Sequence, residues 1–328
     1  MPVENSVFIS YRRTNSAHAR LLYQNLRLHS YDVFMDVEDI DAGEFGEILL
    51  NQIAARAHFL LILTPSALER CHEPDDWVRR EIEHALATER NIIPLLFDHF
   101  DVAQLRTLTG TLSRLQYYNT LHVPWDYFDA AMTRLFERFL NQPVSVPLQP
   151  TPRRDAAAVR RFAAAADARP AVTEAELSAY QAFERAYALP MGEAKVREYS
   201  EVLRQKPDFV EALYNRALAY ARLGRPGAAI TDYTEVLRLR PDDAVAYHNR
   251  ALAYADLNAL DAAIADFDIA LRLKPDDAAA YYNRGSLYAH KGMYPAAEAD
   301  FEAVLRLSPG HAEAEHNLRV IRRKRQKI

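Results

Sequence analysis

Trp77 and Glu81 stand four residues apart in the run Asp75-Asp76-Trp77-Val78-Arg79-Arg80-Glu81-Ile82. Two acids open the run, which suits the positive end of a helix dipole, and in a helix the indole and the carboxylate share one face. An aromatic platform beside a carboxylate can hold a flat cation and a sugar hydroxyl. The same pair also fits a core tryptophan next to a solvated glutamate. The elements that carry the pair have to decide between the two.

Those elements alternate. Residues 6–10, 32–35, 59–63 and 91–97 are short apolar runs of the kind buried strands use, and residues 115–118 read as a short fifth strand. Between them, helical spacing runs over residues 17–29 and 45–57 and from Trp77 onward, and a last helix over residues 126–140 carries Phe128, Met132, Leu135, Phe136 and Phe139. Strands alternating with helices predict an α/β domain with a parallel sheet covered on both faces. Five strands in this length fit a flavodoxin-like order, in which ligands bind at the carboxyl ends of the strands. The loops from Tyr11 to Asn15, from Asp36 to Phe45 and from Thr64 to Glu81 all leave the sheet at that edge. Tyr11, Arg12, Asp36, Asp41, Phe45, Trp77 and Glu81 are therefore expected to converge.

Composition narrows the classes. The chain has 328 residues, enough for two or three domains. Its net charge of −5 is uneven: residues 1–142 hold 13 arginines, no lysine and 20 acids, a charge of −7, and the rest sums to +2. An acidic first part argues against general nucleic-acid binding there. The single cysteine, Cys71, excludes an internal disulfide framework and a cysteine-based metal cluster; no histidine base is placed beside it. No metal and no cofactor are expected. No apolar run approaches ~18 residues, so no membrane span is expected. The first residues lack a basic segment followed by an apolar one, so no signal peptide is read and a cytoplasmic location is expected.

Six ordered strings resemble a TIR domain: Val7-Phe8-Ile9-Ser10-Tyr11-Arg12-Arg13, Val33-Phe34-Met35-Asp36-Val37-Glu38, Ala42-Gly43-Glu44-Phe45, Leu63-Thr64-Pro65-Ser66-Ala67-Leu68, Asp76-Trp77-Val78-Arg79-Arg80-Glu81-Ile82 and Asn91-Ile92-Ile93-Pro94. They are most similar to the enzymatic subgroup, which includes bacterial TIR proteins and the animal axon-degeneration NADase. The resemblance covers about residues 4–141. It implies cleavage of NAD+ between nicotinamide and ribose, with Glu81 as the catalytic glutamate. It implies substrate-binding roles for Tyr11, Arg12, Arg13, Asp36 and Trp77: aromatic stacking for Tyr11 and Trp77, pyrophosphate pairing for Arg12 or Arg13. A solvated loop is the alternative for the two arginines. Asp41, Gly43 and Phe45 fall in the loop that, in this family, completes a neighbouring domain's site and so implies self-association; packing of the next helix on the sheet is the alternative for Phe45. His58, at the edge of the third strand, reads as structural.

Residues 143–172 read as a linker rich in Pro, Ala and Arg, with a helix between Asp155 and Arg169 that looks like a poor core former. Beyond it, Pro207, Pro241, Pro275 and Pro309 recur every 34 residues, the period of tetratricopeptide repeats. Residues 207–240, 241–274 and 275–308 superpose without gaps, residues 173–206 read as a divergent repeat, and residues 310–328 as a capping helix, all within an all-α solenoid over 173–328. The aromatic stripe is core. The groove is expected to present Tyr214, His248 and Tyr282, and one turn on Leu218, Leu252 and Ser286. This uncharged aromatic surface suits an unknown peptide or protein, or the chain's own TIR domain, and departs from the Lys, Arg and Asn pattern of chaperone-tail clamps.

The expected function is an NAD-cleaving effector, activated by clustering and regulated by the repeats; the resemblance implies anti-phage or innate immune defence. A synthase of cyclised ADP-ribose and a non-enzymatic TIR adaptor remain open. Glu81 distinguishes the enzymes from the adaptor, and nothing in the residues separates hydrolysis from cyclisation.

Overall fold

Val7, Phe8 and Ile9 alternate across β1 (Ser6–Ser10), so the strand feeds two cores at once. Val7 and Ile9 join Leu22, Leu26, Leu60 and Ile93 on one face, while Phe8 joins Phe34, Ile53, Phe59 and Ile82 on the other. The structure, a computed structural model, describes residues 4–36, 45–143 and 146–325. It divides into two compact units, Met1–Leu189 and Pro190–Ile328.

In the first unit, β1 is flanked by β2 (Asp32–Met35) and β3 (His58–Leu63), followed by β4 (Asn91–Leu96) and β5 (Leu121–His122). All pairs are parallel and the order is β2-β1-β3-β4-β5, the expected flavodoxin-like arrangement. The register sets Phe8 between Phe34 and Phe59, and the three rings stack at 5.7 and 5.6 Å. Helices α1 (Ser16–Leu28) and α5 (Phe128–Arg134) cover the Val7 face. Helices α2 (Phe45–Ala54) and α3 (Trp77–Ala87) cover the Phe8 face, with the short α4 (Ala103–Thr107) beside them.

Four expectations need correction. Residues 115–118 are not the fifth strand. They end a 3-10 segment, Gly110–Tyr117, whose buried residues Leu112 and Leu115 are three apart, the period of that helix and not of a strand. The last helix is not uniform: α5 gives way to a π-helical segment, Leu135–Leu140. Nor is the helix after the proline-rich stretch a poor core former. In α6 (Ala156–Asp167), Phe162 packs edge-on against Phe34 at 5.6 Å and Ala166 enters the opposite core. It lies against β2, the edge strand. Helix α7 (Glu174–Ala188) also belongs to this unit and packs on α1. The segment 173–206, read as one divergent repeat, is thus divided between the units at Leu189.

The second unit comprises α8 (Glu193–Gln205), α9 (Val210–Arg222), α10 (Pro226–Leu239), α11 (Ala244–Asp256), α12 (Leu260–Leu273), α13 (Ala278–His290), α14 (Tyr294–Leu307) and α15 (Ala312–Arg325). Each regular repeat is a helix pair whose two helices are joined through a left-handed residue: Gly224, Asn258 and Gly292, at φ of 71°, 57° and 74°. Within each pair one arginine grips one buried aspartate through two bonds of 2.7–2.9 Å: Arg216 with Asp232, Arg250 with Asp266, Arg284 with Asp300. Among the described residues, no helix is long and apolar enough to cross a membrane.

Candidate functional site

The carboxyl ends of β1 and β2 and the start of α3 meet at one edge of the sheet. Ser10, the last residue of β1, is buried and donates its hydroxyl to Glu81 Oε2 at 2.6 Å. Glu81 itself is 5% exposed. Burial pushes its carboxyl up to about 8; Asp36 and Asp76 push the same way, while the Ser10 bond and Arg12 oppose them. Among the described residues, the Ser10 hydroxyl is its side-chain partner. The carboxyl group is therefore held by a neutral donor in a dry place, an environment that favours its protonated form.

Helix α3 begins there because Asp76 caps it, accepting from the Arg79 backbone N–H at 3.0 Å. Burial pushes the Asp76 carboxyl up, but Arg12 and the Arg79 N–H outweigh it and hold it below its ordinary value. Arg12 reaches Asp76 through both Nη atoms, and its Nε and Nη2 donate to the Ala67 carbonyl at 3.2 and 3.1 Å. The residue proposed from sequence for pyrophosphate is thus engaged in fixing the start of α3. Tyr11 donates its hydroxyl to the Asp36 carbonyl at 2.6 Å, tying the ends of β1 and β2 together. Arg13 is exposed at the mouth of this edge.

Trp77 is 38% exposed. The Arg80 guanidinium lies 4.2 Å from its ring centroid. Its ring also rests on Gly46 in the first turn of α2, where an added Cβ would stand 2.2 Å from Trp77 Cη2. A side chain at this position would force the Trp77 ring to move. Asp41 and Gly43 lie outside the described residues, as does the side chain of Phe45, which opens α2. Cys71 is buried and its thiol is pushed up to about 12, by burial first and by Asp76 next, so it is held as the unreactive thiol. His58 is buried, contacts the Glu4 carbonyl at 3.0 Å and Asn91 at 2.8 Å, and is pushed down to about 4 by desolvation. Among the described residues no group of three or more His, Cys, Asp or Glu side chains is placed to hold a metal ion.

Tyr214, His248 and Tyr282 occupy equivalent, half-buried places in the second unit. Each meets an asparagine of the following segment: Asn249 donates to Tyr214 Oη at 2.6 Å, Asn283 to His248 Nε2 at 3.4 Å, and Asn317 to Tyr282 Oη at 3.3 Å. Each ring also packs on a buried aromatic, Tyr233, Phe267 and Phe301 respectively. These three residues therefore join successive repeats.

Two residues escaped the sequence reading. Ser10 was read only as strand. Glu184, on α7, is wholly buried and meets Ser66 and Thr64 in the segment between β3 and α3. Burial pushes it up to about 8, against the hydrogen bonds it receives from Ser66 and Thr64. Its partners lie 118 and 120 residues away, which no local pattern signals.

Residues 7–136 match the family described as TIR domain, and residues 210–243 and 248–312 match tetratricopeptide repeats. The chain carries a TIR domain followed by tetratricopeptide repeats. Over 138 residues the TIR region is 42% identical to "NAD(+) hydrolase sarm1" of Drosophila melanogaster, a match that spans 41% of this chain and 10% of that protein. It is 37% identical over 134 residues to "NAD(+) hydrolase tir-1" of Caenorhabditis elegans, spanning 39% of this chain and 14% of the relative. The chain thus spans a small part of the curated relatives it matches. Among solved structures, "Crystal structure of MamA" aligns with 40% of this chain and 77% of its own, at 26% identity and a TM-score of 0.40.

Proposed function

We propose that the TIR domain cleaves NAD+ at the bond between nicotinamide and ribose, with Glu81 as the catalytic carboxylate. The observation that carries the reading is the buried Glu81 at the carboxyl edge of the sheet, held by the Ser10 hydroxyl. The names of the TIR relatives support it. In the reaction the C1′–N bond breaks and its electron pair passes to the pyridinium nitrogen. Nicotinamide leaves neutral, so no strong acid is needed. The ribose carbon becomes oxocarbenium-like, and the ionised Glu81 stabilises that cation or grips the ribose hydroxyls. Water adds at C1′ and releases one proton, giving ADP-ribose. Trp77 and Tyr11 supply stacking surfaces, and exposed Arg13 supplies charge for the pyrophosphate.

Clustering raises activity in this reading, through the loop that contains Asp41, Gly43 and Phe45, and the repeats bind a peptide or protein that controls it in immune defence. The experiment incubates the purified chain with NAD+ and follows nicotinamide, ADP-ribose and cyclic ADP-ribose, with and without forced clustering. Nicotinamide with ADP-ribose is expected, and more per molecule at higher protein concentration. No nicotinamide under either condition overturns the enzyme reading. A rate per molecule independent of concentration overturns the clustering part alone.

A further inference from the structure

Helix α7 is fastened to the sheet unit by a row of polar contacts. Glu176 pairs with Arg20 at 2.6 Å, Tyr180 bonds Ser16 at 2.7 Å, and Glu184 lies deepest. Glu184 Oε2 accepts from the Ser66 backbone N–H at 2.9 Å. Its Oε1 accepts from the Ser66 hydroxyl at 2.6 Å and meets Thr64 Oγ1 at 2.9 Å. A backbone N–H can only donate, so this bond fixes the loop whatever the state of the acid.

The next residue continues the chain of contacts. The Ala67 carbonyl accepts from Arg12, Arg12 pairs with Asp76, and Asp76 caps the helix that carries Glu81. Ser66 Oγ also lies 3.1 Å from Thr14 Oγ1, in the loop after β1. Simple glue would not need this residue type. An apolar side chain would fill such a place without the cost of burying a carboxyl group.

We infer that Glu184 is a positioning residue for the reaction: from α7, beyond the segment that matches the TIR family, it clamps Thr64–Ala67 and through Arg12 and Asp76 sets the start of the helix that presents Glu81. The inference rests on the proposed NAD cleavage for its kinetic consequence but not for its structural one. A small misplacement of a reacting group is costly, so the clamp acts on turnover more than on binding.

The test uses the full chain and the variants Glu184→Ala, Glu184→Leu, Glu184→Gln and Glu176→Ala. Glu184→Ala and Glu184→Leu should lower kcat about tenfold or more with KM changed less than about threefold. Glu184→Gln, whose carbonyl can still accept from Ser66, should stay within about threefold of wild type, and Glu176→Ala within about twofold. Hydrogen exchange should quicken at residues 66–68 and at the first turns of α3 in Glu184→Ala. A folded Glu184→Ala with wild-type kcat and unchanged exchange in α3 overturns the inference and leaves α7 as packing alone. Where Glu184→Ala and Glu184→Leu do not fold, Glu184→Asp, which keeps the acid but draws it back by one methylene from the Ser66 N–H and hydroxyl, is decisive by the same readouts: wild-type kcat and exchange overturn the clamp. If the wild type releases no nicotinamide, the proposed function fails, and the exchange result still decides whether Glu184 sets α3.

Discussion

The two units bury carboxylates in opposite ways. In the repeats, Asp232, Asp266 and Asp300 are each about as buried as Glu81, and each is gripped by a guanidinium from the facing helix. Those bonds raise Arg216, Arg250 and Arg284 above the ordinary arginine value. The charges cancel, and the pair is a strut repeated every 34 residues. In the TIR unit, Glu81 and Glu184 are buried against hydroxyls and an amide, and both are pushed up to about 8. Asp76 shows that the unit has the other solution available, since Arg12 neutralises it. A buried acid with a cation holds structure. A buried acid left with neutral donors is available for chemistry or for fixing a loop.

The widest break between the two kinds should come from Glu81→Gln. It removes the charge, keeps the shape, and is expected to cost about 10²–10³-fold in kcat. The matching change in a strut, Asp266→Ala, leaves Arg250 without its main partner. It should lower stability by about 2–3 kcal/mol by denaturant titration while the rate of nicotinamide release stays near wild type. Replacing both partners, Arg250→Met with Asp266→Leu, should recover most of that loss; if it does not, the strut does more than neutralise itself. Gly46→Ala drives a Cβ into Trp77 and should cost about 1–3 kcal/mol and raise KM, read by the same titration and by initial rates.

Smaller effects sharpen the comparison. Ser10→Ala removes the donor that favours ionised Glu81, so the acid limb of the kcat/KM profile should move to higher pH, by about one unit or less. The stability consequence has a definite sign. Glu81 binds its proton more tightly folded than unfolded, so its contribution is full below the unfolded value near 4.5 and is lost as pH rises through about 8. Glu81→Gln should therefore gain in melting temperature over wild type as pH rises from 5 to about 8. A constant difference would show that Glu81 does not titrate in that window.

Much of the sheet was legible because period-two and period-3.6 patterns are local. The first four strands and their order followed from apolar runs and the βα alternation. The fifth strand did not, since it has two residues and the nearby Leu115, Tyr117 and Tyr118 mimic a better one. Glu81 was legible from its spacing to Trp77 and its place after the third strand. Its partner Ser10 was not, because the contact joins residues 71 apart. Helix α7 was misplaced for a different reason. The 34-residue period carries back to Tyr199 and Leu203, and a helix in register looks like a repeat whichever surface it packs on. What it packs on is set by Tyr180 and Glu184, whose partners are Ser16, Thr64 and Ser66, and no periodicity encodes those.

The central claim is that an ionised, buried Glu81 drives cleavage of NAD+. The most direct measurement is kcat/KM for nicotinamide release from pH 6 to 9, for wild type and a folded Glu81→Gln side by side. Wild type should rise with pH to a plateau above about 8, with the limb in kcat shifted lower because the bound pyridinium favours the carboxylate, and Glu81→Gln should lie about two to three decades beneath it throughout. A Glu81→Gln protein that releases nicotinamide as fast as wild type would contradict the account.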